Sequence, residues 1–365
     1  MGLKCGIVGL PNVGKSTLFC ALSNAKAEAS NYEFCTIEPN IGVVNVPDKR
    51  LNILEGFVNP ERVLPTVMEF VDIAGLVKGA HKGEGLGNKF LGNIREVDAI
   101  IHVVRCFENE NVVRSGGAID PVSDKEIIDT ELQLKDLEGV DKRIQRVGRA
   151  TKTGDKKAKA ELQGLEEIKA HLEQGENLRT MELNEQHQEI IDDLQLLTVK
   201  PVIYLANVGE EDVKTGNSFV EVLKESVKNE NAEVITLCAS IEAEIAELDA
   251  PEDKEMFLEE YGLDDSGLDK LIRISYSLLD LITYFTAGVK EVRAWTITKG
   301  WKAPQAAGVI HTDFEKGFIK AEVITFADYQ EYGSELACKE AGKLSIEGKE
   351  YLVGDGDVMH FRFNV

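Results

Sequence analysis

A glycine-rich segment near the start of the chain has the residue types and spacing that bind phosphate. Gly9-Leu10-Pro11-Asn12-Val13-Gly14-Lys15-Ser16 fits the pattern G-x-x-x-x-G-K-[ST], and Thr17 follows it. In this pattern the glycines let backbone N–H groups surround phosphates, the lysine neutralises the β and γ phosphates, and the hydroxyl binds Mg²⁺. The sequence therefore predicts a nucleoside triphosphate site, with Lys15 as the catalytic cation.

A second motif, Asp72-Ile73-Ala74-Gly75, ends the predicted strand Met68-Glu69-Phe70-Val71. A carboxylate at this place can hold Mg²⁺, usually through water, and Gly75 can present its backbone N–H to the γ-phosphate. Thr36 lies between the two motifs and can complete the Mg²⁺ shell only when γ-phosphate is present, as a switch requires. We therefore predict Ser16, Thr36 and Asp72 as metal ligands and Gly75 as a catalytic group.

The segment after Gly75 lacks the expected water-orienting side chain. Many GTPases place a glutamine directly after D-x-x-G, whereas this chain has Leu76, which cannot orient water. His81 is a candidate substitute, but a solvent-exposed loop histidine is the more ordinary interpretation. Slow hydrolysis, or none, is therefore expected.

The third motif concerns the base. Guanine-specific proteins use N-K-x-D, in which the aspartate accepts from two guanine donors that adenine lacks. After the predicted strand 201–206 this chain reads Asn207-Val208-Gly209-Glu210, so the lysine and the aspartate are both replaced. A guanine clamp is thus incomplete, and adenine is favoured. We predict base contacts from the following residues: Asn207, Val208, Glu210, Ala239 and Ser240.

Elements that can position these residues recur along the chain. Short apolar runs suited to buried strands alternate with helical patterns, which predicts an α/β fold with a doubly wound, mostly parallel sheet. The runs are Cys5 to Leu10, Val43 to Val46, Val67 to Val71, Ala99 to Val104, Val202 to Ala206, and Val234 to Cys238.

Two further regions depart from this alternation. Between about 129 and 199, two apolar stripes flank the turn Thr151-Lys152-Thr153-Gly154-Asp155, which predicts two paired helices forming an inserted arm. Two ordinary surface helices are the alternative. The last part is rich in glycine, aromatic and β-branched residues, which predicts a small mixed sheet. We therefore expect a nucleotide-binding domain of 1–128 and 200–280, an arm of 129–199, and a C-terminal domain of 281–365.

Charge is distributed unevenly. The net charge of −23 argues against indiscriminate coating of nucleic acid. A local basic run nevertheless surrounds the predicted turn and could contact RNA, unless nearby acids pair with it: Lys142, Arg143, Arg146, Arg149, Lys152, Lys156, Lys157 and Lys159. No apolar run is long enough for a membrane span, and six scattered cysteines suggest reduced thiols. A cytoplasmic monomer is expected.

These residues together resemble the YchF-type Obg-like ATPases, P-loop proteins of the translation-factor-related class. The runs that carry the resemblance are Gly9 to Thr17, Phe34 to Asn40, Asp72 to Asn88, Asn207 to Glu210, Phe285 to Gly288, Ala303 to Gly308, and His311 to Phe318. The last two runs are similar to a TGS domain, a β-grasp module. The resemblance covers the whole chain, and Cys20, where such proteins often have asparagine, is a departure.

The resemblance implies a P-loop G domain with an inserted antiparallel helical arm and a C-terminal β-grasp (TGS) domain. It also implies slow ATP hydrolysis, ATP contacts from Asn12 to Thr17 and at Val208, Mg²⁺ at Ser16 and Thr36, and association with the ribosome. In related GTPases an asparagine at the position of Asn12 helps to hold K⁺, so K⁺ is a second candidate ion. RNA contacts are expected from the arm and from the TGS domain through Lys316, Phe318 and Lys320.

Other functions remain open from the sequence. A GTPase is the nearest alternative, and nucleotide competition distinguishes it. A non-hydrolysing nucleotide sensor is favoured by Leu76, and phosphate release distinguishes that. A binding scaffold with a vestigial site is the third alternative, although the intact set of Lys15, Ser16 and Asp72 argues against it.

Overall fold

The computed structural model describes residues 3–24, 40–73, 86–109, 118–151, 155–230, 232–248 and 250–364. Thr36, Gly75, Leu76, His81 and Lys152, on which the sequence analysis made predictions, lie outside the described residues. The chain divides into two compact units. The described part of the first comprises 3–24, 40–43 and residues between 69 and 270, and that of the second comprises 44–68 and 271–364.

A six-stranded sheet forms the centre of the first unit, in the order β2-β4-β1-β5-β6-β7. The pairs from β4 through β7 are parallel, which confirms the predicted mostly parallel sheet. Each of the six apolar runs forms one of its strands: β1 Lys4–Gly9, β2 Ile41–Asn45, β4 Val67–Asp72, β5 Ala99–Arg105, β6 Val202–Asn207 and β7 Glu233–Leu237.

The central strands β5 and β6 are buried along their whole length. Continuous apolar strands of this kind are typical of parallel sheets covered on both faces. Helices of the first unit are α1 Lys15–Asn24, α3 Leu86–Arg95, α4 Pro121–Thr151, α5 Lys156–Glu173, α6 Glu185–Leu194, α7 Ser218–Val227, α8 Ala239–Glu247 and α9 Pro251–Glu260; α10 Gly267–Leu278 continues into the second unit.

The predicted arm is present, with two differences. Helix α4 begins at Pro121 rather than near 129, because its first turns pack Ile128 and Leu132 into the core of the sheet. Further along, Val140 and Val147 pack against Leu165 and other apolar residues of α5. A third helix, α6, was not predicted and adds apolar residues to the same core.

The expected turn of the arm ends at Asp155. Its side chain accepts hydrogen bonds from the backbone N–H groups of Lys157 and Ala158 at 2.9 and 3.4 Å. A carboxylate in this place satisfies N–H groups that have no partner within the helix, and so fixes where the helix begins. Helix α5 therefore begins at Lys156.

The second unit contains a mixed sheet in the order β11-β10-β12-β8-β9-β3, which confirms the predicted C-terminal β domain. Its strands are β3 Val63–Leu64, β8 Leu281–Ala287, β9 Val292–Thr298, β10 Phe318–Ile324, β11 Ser345–Glu347 and β12 Val358–Phe363. Its helices are α2 Lys49–Val58, α11 Ala303–Ile310, α12 Thr312–Lys316, α13 Phe326–Tyr332 and α14 Glu335–Glu340.

Residues 44–68 group with the C-terminal sheet, although the sequence analysis placed them in the nucleotide-binding domain. The reason is packing, since Leu51 and Leu54 of α2 share a core with Phe285 and Val292. Phe318 is only 4% exposed and packs in another core of this unit, so it is not available to contact RNA. The three-part domain division remains a prediction. Among the described residues, no helix is long and apolar enough to cross a membrane.

Candidate nucleotide-binding site

The phosphate loop joins β1 to α1 through a backbone that requires glycine. Gly14 has a φ of 95°, and a Cβ atom added there would lie 2.2 Å from Asn207 Nδ2. Both the left-handed backbone and the lack of space exclude a side chain at this position. Asn12 also lies in the left-handed region, with a φ of 64°. The Gly14 carbonyl accepts from Leu18 N at 3.0 Å, so α1 follows the loop directly.

Lys15 and Asp72 meet at the carboxyl edge of the sheet, where their side chains form an ion pair. Asp72 is the last residue of β4, which lies parallel to β1, and its backbone N–H donates to the Asn40 carbonyl at 2.8 Å. The carboxyl ends of parallel strands lie at one edge, so the phosphate loop and Asp72, the first residue of the D-x-x-G motif, are neighbours. The structure therefore brings together two of the predicted site residues.

The described donors suit a small hard cation. Ser16 follows Lys15 at the start of α1 and is exposed, while Asp72 contacts Lys15. A hydroxyl and a carboxylate are oxygen ligands of the kind Mg²⁺ prefers, and Mg²⁺ commonly takes few protein ligands beside phosphate and water. Within the described ranges, no group of three or more His, Cys, Asp or Glu side chains forms an all-protein metal site. The donor set is thus compatible with Mg²⁺ bound together with nucleotide.

Asn207 holds three segments of the site together. Its Nδ2 donates to the Val13 carbonyl at 2.8 Å, and its Oδ1 accepts from Ala239 N at 2.9 Å. The residue is 3% exposed. Both ends of the amide are therefore engaged in binding the phosphate loop to the start of α8.

The other predicted base contacts divide between the interior and the surface. Val208 is 2% exposed and belongs to the main core, so its side chain packs inward. Glu210 and Ser240 are exposed, and Ser240 Oγ donates to Glu210 Oε1 at 3.3 Å. Ala239 and Ser240 are the first residues of α8. Of the predicted base contacts, the side chains of Glu210 and Ser240 are thus the exposed ones.

Two family models match the chain. A model described as a 50S ribosome-binding GTPase matches residues 4–147, and a YchF GTPase C-terminal model described as a protein of unknown function matches 281–364. The protein named ribosome-binding ATPase YchF from Haemophilus influenzae is 57% identical over 365 residues and covers all of both chains. The chain belongs to the YchF family.

A second curated relative and two solved structures are also similar to this chain. The Bacillus subtilis protein, also named ribosome-binding ATPase YchF, is 56% identical over the full length of both chains. The solved structure of the Schizosaccharomyces pombe YchF GTPase is 39% identical, with a TM-score of 0.90, and the match covers 99% of this chain and 98% of that one. A GTP-binding protein from Pyrococcus horikoshii, at 21% identity and a TM-score of 0.61, shares the fold.

This member of the YchF family also contains a group of buried charges that the sequence analysis missed. We call it the arm-root cluster: Lys125, Asp129, Arg179 and Glu230, whose side chains are 6–10% exposed. Lys125 Nζ lies 2.8 Å from Asp129 Oδ2 and 2.6 Å from Glu230 Oε1. Arg179 Nη2 lies 2.9 Å from Asp129 Oδ1 and 2.8 Å from Glu230 Oε2. Each cation therefore contacts both carboxylates, and the four charges sum to zero.

Tyr204 connects the arm-root cluster to β6. Its hydroxyl donates to Glu230 Oε2 at 2.8 Å and accepts from Arg179 Nη2 at 2.9 Å. Burial would raise the pKa of Asp129, but Arg179 and Lys125 lower this pKa to about 2, which keeps the carboxylate ionised at neutral pH. The spacing of Lys125 and Asp129, one helical turn apart beside the buried Ile128 and Leu132, is the signal that could have revealed the cluster.

Proposed function

We propose that this chain is a slow Mg²⁺-dependent ATP hydrolase that acts as a nucleotide switch and associates with the ribosome. The observation that carries the choice of base is Asn207-Val208-Gly209-Glu210, in which no aspartate stands where guanine would be read. Asn207 fixes this segment to the phosphate loop through Val13. The names of the Haemophilus and Bacillus relatives support the assignment.

Each residue of the site has its own role in hydrolysis. Lys15 and the N–H groups of the phosphate loop neutralise the β and γ phosphates, and Gly75 donates its N–H to the γ-phosphate. Ser16, Thr36 and Asp72 would hold Mg²⁺, directly or through water, and the bound ion would supply positive charge against the charge that develops on the phosphate oxygens. Water attacks the γ-phosphorus, the bond from this phosphorus to the β–γ bridging oxygen breaks, and its electron pair stays on ADP. The attacking water keeps one proton as a phosphate O–H and releases the other to solvent. Leu76 cannot orient that water, which makes turnover slow. K⁺ beside Asn12 is a second candidate ion.

Nucleotide competition combined with phosphate release tests this proposal. ATP should displace a bound fluorescent ATP analogue at lower concentration than GTP, and multiple-turnover assays should release phosphate in the presence of Mg²⁺. Lys15→Ala is the control, because it removes the phosphate-binding charge. Equal or tighter binding of GTP would support the GTPase alternative, which the naming of the Schizosaccharomyces relative as a GTPase favours. Binding without phosphate release would identify a sensor.

For the ribosome, we propose that the basic end of the arm contacts RNA. Within the described residues, Lys142 pairs with Glu138, and Arg143 pairs with Glu161 and Asp193. The remaining basic residues are exposed and form no ion pair with the part of the chain that is described: Arg146, Arg149, Lys156, Lys157 and Lys159. Unpaired cations attract phosphate, and a Debye length of about 8 Å limits the field of distant acids.

Several finer assignments remain proposals of the same kind. A second RNA contact would use Lys316 and Lys320 of the C-terminal domain, since Phe318 is buried. We also propose a nucleotide-binding domain of 1–128 and 200–280, apart from residues 44–68, which group with the C-terminal sheet. The other proposals are an arm of 129–199, a TGS domain of 281–365, a monomer, and a cytoplasmic location. Sedimentation of the purified chain with ribosomal subunits tests the association directly.

A further inference from the structure

The arm-root cluster joins the arm to the strand that carries the candidate site. Helix α4 supplies Lys125 and Asp129, and Arg179 stands on a 3₁₀ helix, Leu178–Thr180, that follows α5. Tyr204 belongs to β6, which ends three residues later at Asn207. The buried strand β6 therefore connects the cluster at Tyr204 with Asn207, and through Asn207 with the phosphate loop and α8.

A second contact ties the same elements together. Asp136 of α4 accepts hydrogen bonds from the backbone N–H groups of Leu197 and Thr198 at 2.9 and 2.8 Å, and from Thr198 Oγ1 at 2.8 Å. The Thr198 carbonyl accepts from Arg179 N at 3.1 Å. From Thr198 the chain runs directly into β6 at Val202. A shift of α4 along the sheet must therefore pull on the beginning of β6.

The need to hold the helices and β6 together does not by itself explain why charged side chains are buried in the arm-root cluster. Removing charges from water is costly, and well-packed apolar side chains often hold elements together equally well. What buried charges add is a discrete arrangement, because each group needs its partner in position. Arg179 Nη1 is buried and has no hydrogen-bond partner among the described residues. An unsatisfied buried donor raises the free energy of the present arrangement and so lowers the cost of leaving it.

We propose that the arm-root cluster couples nucleotide binding to the position of the arm. The proposal rests on the proposed function, in which Asn207 supports the nucleotide site and the arm contacts the ribosome. Nucleotide in the phosphate loop favours one arrangement of β6 and the cluster, and the partner of the arm favours one arrangement of α4. Coupling is reciprocal, so the factor by which nucleotide changes affinity for that partner equals the factor by which the partner changes nucleotide affinity.

Hydrogen exchange on the full chain tests this coupling without the ribosome. Adding a non-hydrolysable ATP analogue with Mg²⁺ should change amide exchange in α4 and α5 by about fivefold or more. The double variant Arg179→Met with Glu230→Gln removes one cation and one anion, so it preserves net charge. It should bind the analogue as the parent does and lose the response of the arm.

Two further variants make the result specific. Tyr204→Phe keeps all four charges and removes only the hydroxyl that joins β6 to the cluster, so the response should shrink even if the double variant fails to fold. Arg143→Met with Glu161→Gln is the matched control, because it removes an ion pair of 2.6 Å on the partly exposed surface of the arm. This control should respond as the parent does.

Failure of the proposed ATPase function and failure of the proposed coupling give different results. Failure of the parent to bind the analogue would refute the proposed ATPase. Binding without any change of exchange in the arm would refute the coupling alone, as would a parent-sized response in both the double variant and Tyr204→Phe. Hydrogen exchange in the arm could change in the parent and not in the cluster variants, while the parent does not sediment with ribosomes. That result would support the coupling and refute the ribosomal part of the proposed function.

Discussion

Among the described residues of the site, Gly14 and Asn207 are those whose identity the geometry constrains most. Gly14 combines a φ of 95° with a Cβ position only 2.2 Å from Asn207 Nδ2. Asn207 in turn needs both a donor and an acceptor, since its amide bonds to Val13 O and Ala239 N. Each residue therefore limits the other, and together they set the position of the phosphate loop.

Gly14→Ala should lower ATP affinity by about tenfold or more. About 1.4 kcal/mol of strain in the loop is enough to raise the dissociation constant tenfold. Either the loop shifts or the bond from Asn207 to Val13 breaks. Titration of a fluorescent ATP analogue measures the effect. Gly139→Ala in α4 is the control, since a Cβ there meets nothing within 4 Å, and alanine favours a helix. Unchanged affinity in Gly14→Ala would mean that the loop tolerates the displacement.

Asn207→Ala should weaken ATP and GTP to the same extent, because the residue positions the loop and its amide is not free to read a base. Competition titrations with both nucleotides give the ratio of affinities. Glu210→Asp should instead raise the affinity for GTP relative to ATP, because an aspartate can accept from the two guanine donors that adenine lacks. The side chain at this position is exposed, so the change does not disturb the core. Lysine at position 208 is not a useful test, because Val208 is buried and a charge there would disrupt the core. A changed ATP-to-GTP ratio in Asn207→Ala would contradict the positioning role.

His102 makes the stability of the first unit depend on pH. It is buried beside Tyr204, with ring centroids 5.5 Å apart, and burial lowers its pKa from 6.5 to about 4. The unfolded chain therefore takes up this proton at higher pH than the folded chain does. Stability from this group is present above pH 6.5 and is lost as the pH falls towards 4.

His102→Phe should remove that dependence. Relative to the parent, its free energy of unfolding should rise by about 3 kcal/mol between pH 7 and pH 4, at about 1.4 kcal/mol for each pKa unit. Urea unfolding of both proteins at several pH values gives the difference. Burial raises the pKa of Asp136 to about 6, so this carboxyl makes the folded chain more stable as the pH falls, opposite to His102. Both proteins contain Asp136, so its contribution cancels in the difference between their free energies of unfolding. A difference that is constant with pH would show that His102 does not titrate as proposed.

At the scale of elements, the arm offers the clearest test of ribosome binding. Replacing Arg146, Arg149, Lys156 and Lys157 with alanine should weaken co-sedimentation with ribosomes and flatten its dependence on salt, because each phosphate contact releases counterions. ATP hydrolysis by the free protein should not change.

A control with equal charge change shows whether location matters. Lys135, Lys169, Lys224 and Lys228 each form an ion pair with a nearby acid, and the last two lie on or next to α7, outside the arm. Replacing these four with alanine lowers the net charge by the same amount. Equal loss of ribosome binding in both variants would indicate a general effect of charge and would contradict a contact at the end of the arm.

Elements could be predicted from the sequence wherever the pattern was long and local. The run Val202 to Ala206 predicts a buried strand, and the structure has β6 there. Asp155 marks a turn and is the cap of α5. Helix α6 was missed because its apolar residues, among them Ile190 and Ile191, complete a core that exists only after α4 and α5 have paired. The contact of α2 with Phe285 was missed for a similar reason, since more than two hundred residues separate them.

In the candidate site too, some features could be predicted from the sequence and others could not. Lys15 and Asp72 could be predicted from motifs, and they meet. The inward packing of Asn207 and Val208 could not, because a motif gives the order of residues and not the direction of a side chain. The arm-root cluster escaped notice because charged residues on a helix are usually assigned to its solvent face.

At the scale of the whole molecule, the net charge of −23 predicts opposite responses to salt. Self-repulsion destabilises a strongly acidic fold, so raising NaCl from about 50 to about 500 mM should raise the melting temperature as the Debye length shortens. The same change should weaken ribosome binding through the basic arm. Differential scanning fluorimetry and co-sedimentation over one salt series measure both. A melting temperature that falls with added salt would contradict the first expectation.

The contact of Asp136 with Leu197 and Thr198 has a consequence for how such a protein can diversify. It joins the outgoing and returning chain near the base of the arm, so the chain beyond it is a side branch of the main path, except where Arg179 contacts Asp129, Tyr204 and Glu230. A branch closed in this way can grow, shrink or be exchanged by recombination while β6 keeps its register. A different hairpin grafted at this seam would leave β6 and the phosphate loop in place, provided that it kept a cation at Arg179 to pair with Asp129 and Glu230.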